Sequence, residues 1–207
     1  AVQGSKMNPS EGIYLCQVNN TVSCGACCGL YNVPDPSRKT LSRMLVERST
    51  AFEKVPREME TVLAFGRRQA DLNPEKDRPM PEFHHCPYLG LIGENRARVG
   101  CLLHPVAEGN HGIDFRGLSY YGSMTCAMYF CPTHHRIAPA FKRVVQAVAE
   151  DWYDYGLILQ ETELLAAFYT EIIGRCKGAA LNVTQALAPG VYPYWKRLFA
   201  LKMTWPF

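Results

Sequence analysis

The stretch Cys16-Gln17-Val18-Asn19-Asn20-Thr21-Val22-Ser23-Cys24-Gly25-Ala26-Cys27-Cys28 sets four thiols in a turn-rich run, and its reading decides what kind of fold the chain has. Cys24-Gly25-Ala26-Cys27 is a C-x-x-C turn, the spacing at which a tight loop points two sulfurs at one ion while backbone N–H groups face the thiolates. Gly25 eases that turn. A redox-active dithiol shares the spacing but sits in a strand-then-helix context whose pattern is missing here. Cys28 follows at once. Consecutive side chains diverge, so Cys27 and Cys28 are open to serving different ions or opposite sides of one cluster. From Glu11 to Tyr31 turn residues and cysteines dominate, and order in this run is expected to come from a bound metal rather than from apolar packing.

Working outward, the chain holds nine cysteines, the others being Cys86, Cys101, Cys126, Cys131 and Cys176. A disulfide framework suits short secreted chains with even counts; this chain is long, its count is odd, and no basic-then-apolar leader is evident. Adjacent Cys27 and Cys28 could not bridge each other without strain. A buried free thiol, packing as a small hydrophobe, describes Cys176 beside Ile172 and Ile173. The remaining eight divide into Cys16, Cys24, Cys27 and Cys28 early in the chain and Cys86, Cys101, Cys126 and Cys131 later, which suits two tetrathiolate sites. His84-His85 and His134-His135 flank Cys86 and Cys131 as substitute ligands or as groups that orient ligands. His104, His111, Asp114 and Arg116 lie in a Gly-rich stretch that could line a small polar site, although turn chemistry accounts for Asp114 equally well.

The rest of the pattern is helical. Asp35-Pro36-Ser37 opens a helix with Leu41, Met44, Leu45 and Phe52 on one face, and Pro56 restarts a second through Met59, Val62, Leu63 and Phe65. Arg38, Arg43, Arg48, Arg67 and Arg68 read as a solvated face. Residues 69–83, with Pro74, Pro79 and Pro81, read as a linker. Irregular structure with short strands is expected from Cys86 to His135. Phe141, Val144, Val145, Val148, Trp152 and Tyr155 then predict one helix with Gly156 as its C-cap. Leu164, Leu165, Phe168, Tyr169, Ile172 and Ile173 predict another ending at Gly174, and Pro193 opens a third carrying Tyr194, Trp195, Leu198 and Phe199. The expected fold is therefore mainly α with an irregular, metal-stabilised cysteine-rich region over 7–135, a helical insertion at about 36–68, and a helical region over 136–207 packed on it as one unit. Residues Ala1–Lys6, ahead of Met7, are left out of the fold argument.

Cys24-Gly25-Ala26-Cys27-Cys28, and Cys86-Pro87-Tyr88-Leu89 followed by Cys101 and a later cysteine, resemble the cysteine-cluster proteins named for a C-x-x-C-x-x-C-C signature and described as zinc- or iron-chelating domains. The likeness spans roughly residues 16–135 as a motif match. It departs at Thr21, which stands where the first signature cysteine belongs and for which Cys16 could substitute, and at Cys101-Leu102-Leu103-His104-Pro105, which replaces the usual tyrosine and arginine-proline. The resemblance implies metal binding and little about activity.

Composition is that of an ordinary globular chain: 207 residues, 47% hydrophobic and 20% charged. No apolar run is long enough to span a membrane, so a cytoplasmic protein with no membrane partner is expected. Soft sulfur ligands favour zinc or an iron–sulfur cluster over magnesium or calcium. Two such sites would turn the formal +3 into about −1, so the basic pI does not argue for a nucleic-acid partner. Three readings follow. The first is a metal-binding protein holding zinc or an iron–sulfur cluster in a structural or redox role. The second is a metalloenzyme with an open coordination position near His104–Arg116. The third is a zinc-dependent module that binds protein or nucleic acid. No H-E-x-x-H, deaminase, G-x-S-x-G, phosphate-loop, dinucleotide or radical-enzyme motif is present, and no catalytic residue is named.

Overall fold

A computed structural model describes residues 13–73 and 77–204. The start of the cysteine-rich region, Met7 to Gly12, Pro74 of the linker and residues 205–207 of the helical region lie outside the described residues. The chain is mainly helical, with α1 Arg38–Glu53, α2 Met59–Asp71, α3 Gly122–Met128, α4 Pro132–Arg136, α5 Pro139–Val148, α6 Trp152–Gln160, α7 Thr162–Arg175, α8 Val183–Ala186 and α9 Tyr192–Ala200. Two short strands, β1 Leu89–Ile92 and β2 Arg98–Cys101, pair antiparallel with Leu89 opposite Cys101. Among the described residues no helix is long and apolar enough to cross a membrane.

Helix α1 begins where the sequence predicts, because the Ser37 side chain accepts the Thr40 N–H and satisfies one of the orphan donors of the first turn. It lies against β1, where Ser49 Oγ accepts the Leu91 N–H at 2.7 Å and donates to the Leu91 carbonyl at 3.2 Å. Leu41, Leu45 and Phe52 are buried. The insertion thus runs as two helices, the second three residues longer than the sequence pattern indicates.

Two expectations for the last third are corrected. The apolar periodicity from Phe141 to Tyr155 spans two helices, α5 and α6, broken at residues 149–151. Asp151 starts the second by accepting the N–H groups of Tyr153 (2.9 Å) and Asp154 (3.2 Å), and Arg38 pairs with both Asp151 and Asp154. Gly156 is no cap. It sits inside α6, where a Cβ would lie 2.2 Å from the Tyr31 hydroxyl, which itself donates to the Tyr153 carbonyl at 2.8 Å. Likewise Gly174 lies within α7, and the chain is turned out of that helix by Lys177 and Gly178 with φ of 54° and 79°. Replacing Asp151 by Ala is expected to cost about 1–2 kcal/mol through the lost cap. Asp151→Asn, which keeps an accepting oxygen and discards the charge, should retain most of that in a urea melt.

The apolar core also corrects the expectation that the Glu11–Tyr31 run is ordered without apolar packing. Leu15 and Val22 enter the same cluster as Phe141, Val145, Tyr155, Leu165 and Trp195. Leu30, Tyr31 and Val33 join Leu41, Leu45, Leu89, Trp152 and Leu157 in a second. A third, built on Phe52, Phe65 and Tyr88, packs α1, α2 and the 102–107 turn. Apolar residues spaced between the cysteines anchor the segment to both helical regions.

Candidate metal centre

Each cysteine is positioned by a definable piece of backbone. Gln17 and Ser23 form an antiparallel bridge, and the Cys24 N–H donates to the Cys16 carbonyl at 2.8 Å, which sets these two residues side by side. The chain then enters a 3-10 turn, Ala26–Cys28, whose Ala26 N–H donates to Cys24 Sγ at 3.5 Å. The conformational demand of this turn falls on Gly29, in the left-handed region with φ 77°, rather than on Gly25, whose φ is −118°. The Cys86 N–H donates to the Cys28 carbonyl at 2.9 Å. Strand register and the bond from Leu102 N–H to the Tyr88 carbonyl (2.9 Å) bring Cys101 back to the level of Cys86.

The two late cysteines go to different places. Cys126, exposed on α3, lies 3.1 Å from Ser119 Oγ, and its carbonyl accepts from Arg116 at 3.4 Å. The neighbouring Tyr120 and Tyr121 rings pack on His84 at 4.5 and 5.2 Å, so this loop sits against the Cys86 segment. Cys131 precedes α4, and there Phe130 and His134 pack on Tyr14 at 5.7 and 6.4 Å, beside the entry to Cys16.

Electrostatics reports the same neighbourhoods. Burial raises Cys16 to about 12, with the thiolates of Cys27 and Cys131 adding to the effect. Burial likewise holds Cys24 high, with Cys27, Cys16 and Cys131 contributing. Cys101 is raised to about 12 by burial, then by Cys86 and Cys126, and Cys86 to about 11 by burial, with Cys126 opposed by Arg48. Cys27 and Cys28 share a hydrogen bond that lowers Cys27 and raises Cys28; Cys28 also responds to Cys86 and Cys101. Burial, and the repulsion that their charged forms would meet, keep Cys16, Cys86 and Cys101 as neutral thiols. None of the nine cysteines is in a disulfide. Among the described residues no group of three or more His, Cys, Asp or Glu side chains is set as the ligands of one ion.

Cys131 thus lies toward Cys16 and Cys24, and Cys28 toward Cys86 and Cys101, across the division by position into an early four and a late four. Cys176 is exposed at the C-cap of α7, beyond the apolar stripe, so it is not the buried thiol its helical neighbours suggest.

The histidines separate as well. His85 is buried, with Nδ1 2.7 Å from the Gly29 carbonyl and Nε2 3.2 Å from Arg48 Nη2. A carbonyl only accepts and a guanidinium only donates, so Nδ1 carries the proton and both ring nitrogens are engaged. Burial first, then Arg48, lowers its pKa to about 3. As placed, His85 braces the loop and is not a substitute ligand. Arg48 is a second correction: instead of facing solvent it is 1% exposed and donates to the carbonyls of Cys86 and Leu89, both at 3.2 Å, and to Gln69. Its period-3.6 position beside Leu41, Leu45 and Phe52 was the one sequence signal for burial. Near the second group, Arg116 and Asp114 are paired bidentately, and the Arg116 N–H also bonds Asp114 at 3.0 Å, the turn role considered for that residue. His104 Nδ1 accepts the Val106 N–H. These groups shape the loop that carries Cys126.

Compared with family models, with curated proteins and with solved structures, the chain matches none of them.

Proposed function

We propose that this chain is a metal-binding protein that holds zinc or an iron–sulfur cluster through clustered cysteine thiolates, in a structural or redox role. The observation that supports this reading is that unbridged cysteines are brought side by side by main-chain hydrogen bonds, Cys16 with Cys24 and Cys28 with the distant Cys86. The donor set is all sulfur, which fits a soft or borderline metal and not a hard one. In the His104–Arg116 stretch His104 Nδ1 accepts from the Val106 N–H and Asp114 is paired with Arg116, so the metalloenzyme reading lacks a comparable observation.

The ligands would come from Cys16, the turn at residues 24–28, the segment before β1, the end of β2, α3 and the residue before α4. A bound ion would displace the thiol protons, hold the groups as thiolates and tie these segments together. Protein purified without oxygen is expected to carry stoichiometric zinc, or iron with sulfide and the broad visible absorption of a cluster. A strong chelator should lower its thermal midpoint by several degrees, since a ligand that binds only the folded state stabilises it by mass action. Metal-free protein whose unfolding is indifferent to zinc, iron and chelator would sink the proposal.

A further inference from the structure

We infer that the eight cysteines form two four-thiolate sites that interleave along the chain, Cys16, Cys24, Cys27 and Cys131 around one centre and Cys28, Cys86, Cys101 and Cys126 around another, with the Cys27–Cys28 peptide bond dividing them. The inference rests on the metal-binding reading and deepens it by assigning ligands and number of sites.

The assignment follows from backbone contacts. Cys16 and Cys24 are joined by the bridge at Gln17 and Ser23, and Cys27 follows on the same turn. Cys131 reaches them because Tyr14 packs on Phe130 and its carbonyl accepts from Gln146 of α5 at 2.6 Å, which fixes Tyr14 between the segment that leads into α4 and the last turn of α5. On the other side, Cys28 and Cys86 are joined through a main-chain hydrogen bond, Cys86 and Cys101 through the hairpin, and Cys126 through Arg116 and the His84–Tyr120 stack. The main chain passes from one group to the other between residues 27 and 28: Cys27 follows Cys24 on the turn, and the Cys28 carbonyl is tied to Cys86.

A divalent ion in four thiolates keeps a net negative charge, and beside the second group Arg48 donates to the Cys86 carbonyl and Arg116 to the Cys126 carbonyl. The ligand class is therefore a tetrahedral thiophilic ion or a four-iron cluster at each site, with no protein nitrogen or oxygen in the shell.

Paired substitutions separate this arrangement from one in which the early and late cysteines form separate sites. Cadmium(II) serves as the probe, loaded anaerobically into the full chain and counted after removal of weakly held ion. The wild-type protein should retain two equivalents. Cys16→Ser with Cys131→Ser should damage one site and retain one equivalent, whereas Cys126→Ser with Cys131→Ser should damage both. The reverse pattern, one equivalent in the 126/131 pair and none in the 16/131 pair, overturns the inference and leaves metal binding intact. Should either variant fail to fold, cadmium–proton correlation NMR of the wild-type protein decides the point. Two resonances are expected, one correlated with the β-protons of Cys16, Cys24, Cys27 and Cys131 and the other with those of Cys28, Cys86, Cys101 and Cys126. One metal correlated with both Cys27 and Cys28 overturns the division. A wild-type chain that retains no cadmium, zinc or iron overturns the metal-binding reading itself.

Discussion

Replacing Gly29 by Ala is expected to destabilise the protein by about 2–5 kcal/mol, from about 1–2 for the left-handed backbone and about 1–3 for overpacking. Gly29 has φ 77°, and a Cβ there would lie 2.2 Å from the His84 carbonyl oxygen and 2.8 Å from the His85 Cα. Both are backbone atoms, so no flexible side chain can swing away. The adjacent Cys28 carbonyl accepts from Cys86 and the Gly29 carbonyl accepts from His85, so the clash pries apart the contact that holds the two cysteine-bearing segments together. Gly112 supplies the control: its φ is 81°, yet nothing lies within 4 Å of a Cβ there. Gly112→Ala should show the backbone cost alone, about 1–2 kcal/mol. Urea midpoints at unchanged slope measure both. Equal losses in the two variants would mean that the Cys28 and Cys86 segments are not closely packed.

Arg48→Met should cost about 3–4 kcal/mol, since it leaves buried carbonyls of Cys86 and Leu89 without donors and frees His85 and Gln69. Met nearly conserves the volume, so little of the loss would come from a cavity. The guanidinium sits where burial lowers its pKa to about 10, and its hydrogen-bond partners are all uncharged. A buried cation is tolerated when its donors are used, and those of Arg48 go to Gln69, Cys86, Leu89 and His85. Arg48→Lys, a single point charge without the planar fork, should recover only part of the stability. Arg67→Met, on an exposed position of α2, should stay within about 0.5 kcal/mol. The pair tests a distinction that composition alone misses, and a loss at Arg48 no greater than at Arg67 would refute the bracing role.

Much of the helical framework was legible because it is written in local signals. Ser37 before an apolar stripe and Pro193 at the opening of α9 give caps whose physics involves only neighbouring residues. The split between α5 and α6 was hidden because the apolar period runs through Val148 and Trp152 without a break. The interruption depends on Asp151 capping α6 while Arg38, far away in sequence, holds it. Gly156 and Arg48 were misread for one reason: a residue that permits close approach, or a cation that binds carbonyls, declares itself only through the partner it meets.

By itself the sequence determined that eight thiols surround a C-x-x-C-C core, that the chain is mainly helical, and where α1 and α9 open. Tertiary structure alone decided which thiols are neighbours. The register of β1 on β2, the packing of Tyr14 on Phe130 and the bond from Cys86 to Cys28 are contacts between segments distant along the chain. Proximity of that kind is a property of the closed fold and leaves no mark in residue spacing, so Cys131 falls beside Cys16 and Cys28 beside Cys86.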